Sequence, residues 1–134
     1  MSVRGTSPLS GNCLSVNIAH IINGIRFVNL QYGDCAEEIA VVNKQFSVSL
    51  YDDETVDPLK DMDRFAAQVA AMDLVVTVSN STAPLAGGLG IPVWGLLSKV
   101  SDWRYLLERK DTPWYESMRF FRQRTRGDWC EVMG

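Results

Sequence analysis

Histidine is almost missing from this chain, with His20 alone among 134 residues. A Ser-His-Asp or Cys-His pair would therefore have to recruit His20. That residue sits in Asn17-Ile-Ala-His-Ile-Ile22, where the pattern is simply helical and apolar, so it reads as structural. Cysteine is scarce and odd in number. Cys13, Cys35 and Cys130 form no CxxC pair, and with one histidine they supply no zinc ligand set. They read as reduced thiols of a cytoplasmic protein. No run approaches the roughly 18 apolar residues a membrane helix needs. The polar opening Met1-Ser-Val-Arg-Gly-Thr-Ser-Pro-Leu-Ser10 is no secretory signal. Positive charge is not in excess either: 13 Lys and Arg stand against 16 Asp and Glu, a net charge of -3. That balance argues against a dedicated binder of nucleic acid or anionic membrane.

What is present is ordinary globular material, 46% apolar and 22% charged, enough for one domain with its own core. Residues 1–13 read as a loose arm and 14–134 as a single domain. Leu14, Ile18, Ile21 and Ile22 mark a short helix ending at Asn23-Gly24. Ile25–Gln31 reads as a strand, and Asp34 caps a helix through Cys35–Asn43. Phe46–Leu50 reads as a second strand. Asp61 caps an amphipathic helix marked by Met62, Phe65, Ala66, Val69 and Met72. Leu74–Val78 is a β-branched run suited to burial on both faces. It is followed by the small polar turn Ser79–Thr82, a short helix over Ala83–Gly90 and a buried strand over Ile91–Leu97. Asp102–Arg109 reads as a helical turn or two, Met118–Arg122 as a last strand, and Gly127–Met133 as a terminal helix begun by Asp128. Strands alternating with helices at this spacing predict an α/β fold, a parallel sheet of about five strands with helices on both faces.

Ligands of open parallel sheets bind outside the carboxyl ends of the strands. Two turns qualify, Gln31–Asp34 and Ser79–Thr82. In the second, small hydroxyls admit a phosphate and the first-turn N–H groups of the next helix offer unpaired donors. Ser and Thr also cap ordinary helices, so plain capping stands beside anion binding. Arg119, Arg122, Arg124 and Arg126 form a basic patch, read either as a solvated face or as a guanidinium contact to a diphosphate. Trp103, Trp114, Tyr115 and Trp129 read as core filler, with stacking on a sugar or base as the alternative.

Several stretches occur together in order: Arg26–Asp34, Asp61-Met-Asp63, Met72–Ala83, Leu85–Trp94, Asp102-Trp-Arg104, Pro113-Trp-Tyr115 and Gly127-Asp-Trp129. From about Asn17 to Val132 they give the chain a resemblance to the C-terminal part of family 9-type glycosyltransferases. Those fused to tetratricopeptide repeats, and similar to bacterial heptosyltransferases, are the nearest in pattern. The resemblance implies half of a glycosyltransferase B, Rossmann-like fold that holds a nucleoside diphosphate sugar, with no other cofactor. It implies diphosphate contacts at Ser79, Asn80, Ser81, Thr82 and Ala83, with Tyr32, Gly33 and Glu37 near the nucleoside. Asp34 is the nearest general base by position, though its N-cap reading competes.

The chain departs from that pattern in three ways. Pro84 replaces the usual histidine, which deletes an imidazole and an N–H. One lost oxyanion donor can matter by about 2.7–4 kcal/mol in catalysis. The domain's first strand and the basic residue after it do not appear, and neither does the acceptor-binding domain. Transfer by this polypeptide alone is therefore not expected. A sheet without its first strand exposes edge groups, so a homodimer is expected, by edge pairing or exchange of the N-terminal arm. A competing reading is a non-catalytic folded remnant that acts only through self-association or a protein partner. A doubly wound nucleotide-binding regulator would need acidic residues clustered at two strand ends, and these are absent from the sequence.

Overall fold

The structure is a computed structural model and describes residues 24–46, 48–107 and 109–133. The arm at 1–13, the helix expected over Leu14–Ile22 and His20 lie outside the described residues. The described chain is α/β. Strand β1 (Phe27–Val28) leads to helix α1 (Ala36–Phe46), β2 (Leu50–Tyr51) and α2 (Met62–Ala70). Then come β3 (Val75–Val78), α3 (Thr82–Gly88), β4 (Val93–Leu97), a 3-10 turn at Trp103–Tyr105, β5 (Met118–Arg122) and α4 (Cys130–Met133).

All strand pairs are parallel, but the expected single sheet is two: β1 with β2, and β3-β4-β5 in that order. Among the described residues β1 and β3 each carry a partner on one side only. A parallel ladder grows only where a neighbour supplies evenly spaced donors and acceptors. The expected seven-residue strand at Ile25–Gln31 is accordingly regular over two residues. The second expected strand also shifts. Phe46 continues the helical stripe of Ile39 and Val42, so α1 runs on to it and β2 starts at Leu50.

Residues Val75, Val93 and Met118 lie in one row across the larger sheet, and Thr77, Gly95 and Phe120 in the next. On that face Val75, Val93, Met118 and Phe120 are buried with Ala83 and Ala86 of α3 and Phe65 and Val69 of α2. Gly87 explains the close seating of α3, because a Cβ there would stand 2.5 Å from Met118 Cε and 2.8 Å from Tyr115 Cγ. Gly95 leaves room in the same way for the ring of Phe120, 2.7 Å from where its Cβ would be. Leu30, just past β1, and Val28 join the same core. The opposite face of the larger sheet is more open. It carries Trp94, 46% exposed, packed on Phe121 at 5.5 Å between ring centroids.

Helix ends follow local chemistry. Asp61 Oδ1 accepts from Arg64 N at 2.9 Å, Asp34 Oδ1 from Ala36 N at 3.1 Å, and Asp128 Oδ1 from Cys130 N at 2.9 Å. Cys35 is buried, its thiol donating to Tyr32 O at 4.0 Å, and Cys130 opens α4. No helix among the described residues is long and apolar enough to cross a membrane.

Candidate functional site at the carboxyl ends of the strands

Because the strands within each sheet run parallel, the segments that follow them rise from the carboxyl edge of that sheet. After β1, Asn29 is 5% exposed and ties the strand to its neighbour. Its N–H donates to Tyr51 O at 2.7 Å and its Nδ2 to Asp52 Oδ1 at 2.8 Å, while its Oδ1 accepts from Gln31 N at 3.1 Å. The chain then turns at Gly33, whose φ of 88° is cheap only for glycine. Tyr32 and Gly33 are exposed, as is Glu37 in the first turn of α1. Asp34 spends its carboxylate on the Ala36 amide, so the base expected from its position acts here as a cap.

After β3 the turn Ser79–Thr82 enters α3, and it is largely closed on itself. Asn80 Oδ1 accepts three times: from Thr82 N at 3.1 Å, Ala83 N at 3.3 Å and the buried Thr77 hydroxyl at 3.0 Å. The next residue, Pro84, has no N–H, and Leu85 N already donates to Ser81 O at 3.3 Å. The helix N-terminus is thus satisfied by its own turn, which is the capping alternative. Thr82 and Ala83 are also buried, at 5% and 2% exposure. Of the five residues expected on the diphosphate, Ser79 and Ser81 present exposed side chains, and Asn80 acts from inside the turn.

The third segment, after β4, carries residues that the sequence reading passed over. Asp102 caps the 3-10 turn through Arg104 N at 3.0 Å. Its carboxylate also takes Arg104 Nε and Nη2 at 3.1 and 3.0 Å, which holds the acid below and the guanidinium above its ordinary pKa. This turn seats Tyr105 in the core, edge-on to Phe120 at 5.0 Å. Burial raises the Tyr105 phenol. The Arg104 guanidinium and then the Ser79 hydroxyl work against that rise, and Tyr105 Oη is buried without a hydrogen-bond partner. At Leu106 the chain takes a φ of 52°, the single positive value among the described non-glycine residues.

Arg122 closes the segment from below. Its Nη1 donates to Ser101 Oγ, and its Nη2 to Leu106 O at 2.7 Å and Tyr105 O at 3.3 Å, while Nε is buried without a partner. Desolvation lowers its pKa, and no carboxylate among the described residues acts on it. Within the basic patch named from the sequence, the alternation from Met118 singles out Arg122, since residues 118, 120 and 122 share one face of the sheet. Among the described residues no three His, Cys, Asp or Glu side chains gather as a metal site.

No family model and no solved structure matches this chain. It is 43% identical over 111 residues to Protein FlbA of Caulobacter vibrioides. The match covers 83% of this chain and 18% of that protein, so the chain corresponds to less than a fifth of its relative.

Proposed function

We propose that this chain is a nucleotide-sugar-binding unit related to the donor half of a glycosyltransferase B enzyme. It takes up a nucleoside diphosphate sugar and performs no transfer by itself. One observation carries the reading. The turns Tyr32–Gly33 and Ser79–Ser81 follow β1 and β3, which lie in two separate parallel sheets, and both turns grow from one core through Leu30 and Ala83. The region outside strand carboxyl ends is where doubly wound sheets receive nucleotides. Tyr32 and Glu37 would face the nucleoside, the glutamate accepting from ribose hydroxyls. With the α3 amides held by Asn80, the diphosphate contacts fall to the hydroxyls of Ser79 and Ser81, and affinity is correspondingly weak.

The test is a titration of isotope-labelled protein with uridine, guanosine and adenosine diphosphates and their sugars, followed by amide NMR. Shifts confined to residues 31–37 and 79–83 are the expected result. A spectrum unmoved at millimolar ligand overturns the reading.

Among the described residues β1 and β3 each have one edge without a strand partner, and with the exposed Trp94 this favours a second reading, in which the unit works through self-association as a homodimer. Light scattering that shows a monomer at tens of micromolar counts against it. A nucleotide-sugar ligand fits a cytoplasmic location, where thiols are kept reduced. Thiol-blocked extracts decide: a reduced Cys130 in the cell supports the cytoplasm, and an oxidised one argues for another compartment.

A further inference from the structure

Three of the chain's arginines have carboxylate partners in plain view of solvent: Arg104 with Asp102, Arg109 with Asp111 and Arg124 with Glu131. Arg122 is the reverse case. It is the less exposed cation, and among the described residues its guanidinium touches only neutral oxygens and no carboxylate acts on it. A partly desolvated charge without a counter-charge is costly to keep unless something else compensates it. Its surroundings are also under-satisfied. Arg122 Nε and Tyr105 Oη are both buried and lack partners. The carbonyl that Arg122 holds most closely belongs to Leu106, the residue with the strained φ. All of this lies at the carboxyl ends of β4 and β5, beside Ser79 at the end of β3.

We propose that Arg122 is an oxyanion receptor, whose guanidinium exchanges the carbonyls of Tyr105 and Leu106 for the oxygens of a phosphate or diphosphate group. The planar fork offers Nε and Nη together, the geometry that matches two oxygens of one phosphate. Ser101 Oγ and, once the turn has shifted, Tyr105 Oη complete the donor set. Released from the guanidinium, Leu106 can leave its positive φ, so anion capture loosens the 101–106 turn. The inference deepens the nucleotide-sugar reading by naming the group that meets the diphosphate, and it rests on that reading for the nucleoside alone.

The experiment follows the Arg122 Nε–H resonance in the full chain while inorganic pyrophosphate, and separately uridine diphosphate, is added. Both are expected to move it, together with the amides of residues 101–106. Arg122→Lys keeps the charge and loses the fork, and should weaken pyrophosphate binding by about tenfold, the scale of one charged hydrogen bond. Arg119→Gln, on the opposite face of the sheet, should change little. A wild-type Nε signal that stays put with both probes overturns the proposal, whatever the variants do on folding. If residues 31–37 and 79–83 move while Arg122 does not, the nucleotide reading survives and this inference fails. If pyrophosphate moves Arg122 but uridine diphosphate leaves residues 31–37 untouched, the receptor stands and the nucleotide reading fails.

Discussion

The β3-β4-β5 half and the β1-β2 half of this molecule are built by the same strand-helix-strand rule and end up held very differently. In the first, Val75, Val93, Leu97, Met118 and Phe120 are each 3% exposed or less, and the ladders run four and five residues. In the second the ladder is two residues long, Tyr51 is 54% exposed, and α1 buries none of its side chains. Parallel pairing depends on cover from both faces. The comparison teaches that this sequence secures one half by its own packing and leaves the other attached chiefly through Val28 and Leu30.

That contrast can be broken most directly by truncating one core side chain in each half. Phe120→Ala should cost about 3–5 kcal/mol, and Leu50→Ala, half-buried, about 1 kcal/mol, both read from urea midpoints. Equal losses would mean that the two halves are one cooperative block. Hydrogen exchange gives the same contrast residue by residue, with β4 amides opening only on global unfolding and β1 amides by local opening. Gly95→Ala pushes a methyl into the Phe120 ring and should cost about 1–3 kcal/mol by overpacking; an unchanged midpoint would show that the ring can step aside. Asn80→Ala removes the oxygen that serves two α3 amides and should cost about 0.5–2 kcal/mol. The same change uncovers Thr82 N and Ala83 N, so inorganic phosphate should bind this variant more tightly than wild type, and weaker binding would place the anion elsewhere.

The smallest effect is the pH dependence of the exposed carboxylates. Asp102 is held below its ordinary pKa by its hydrogen bonds from Arg104. A depressed acid contributes stability above its unfolded value, near pH 4, and loses it as pH falls through the lower folded value. Asp102→Asn should therefore flatten the decline in melting temperature below about pH 4. An unaltered slope would show the pair to be thermodynamically silent, as many surface pairs are.

The more secure half was also the more legible. Met118–Arg122 folds as the strand its alternation predicts, Leu74–Val78 loses one residue, and Asp61 caps α2 as its spacing with Phe65 and Val69 implies. These segments state their structure locally, by period and cap. The weaker half hid its bounds because a strand's extent depends on a neighbour that the local sequence does not describe. Phe46 was misread because a β-favouring ring at helical spacing obeys the helix. Asp102–Arg109 shrank to one 3-10 turn because Leu106 leaves helical space. At the candidate site, the sequence named the turn Ser79–Thr82 but could not assign its amides. An asparagine inside a polar turn can serve a ligand or its own backbone, and Asn80 serves the backbone. Arg122 was one arginine in a cluster of four until the sheet register turned it inward.

Among the described residues β3 has a strand partner on one side only, and this has a practical consequence for anyone producing this chain. Leu74-Val-Val-Thr-Val-Ser79 has the length and composition of a segment that stacks into amyloid once it is released. In the native fold β3 is four residues long, buried or half-buried throughout, and preceded by the charge of Asp73, too short a template to recruit copies efficiently. Precipitation on heating or at low pH should therefore begin with the loss of β4 from beside it, and conditions that keep β4 in place will keep the preparation clear.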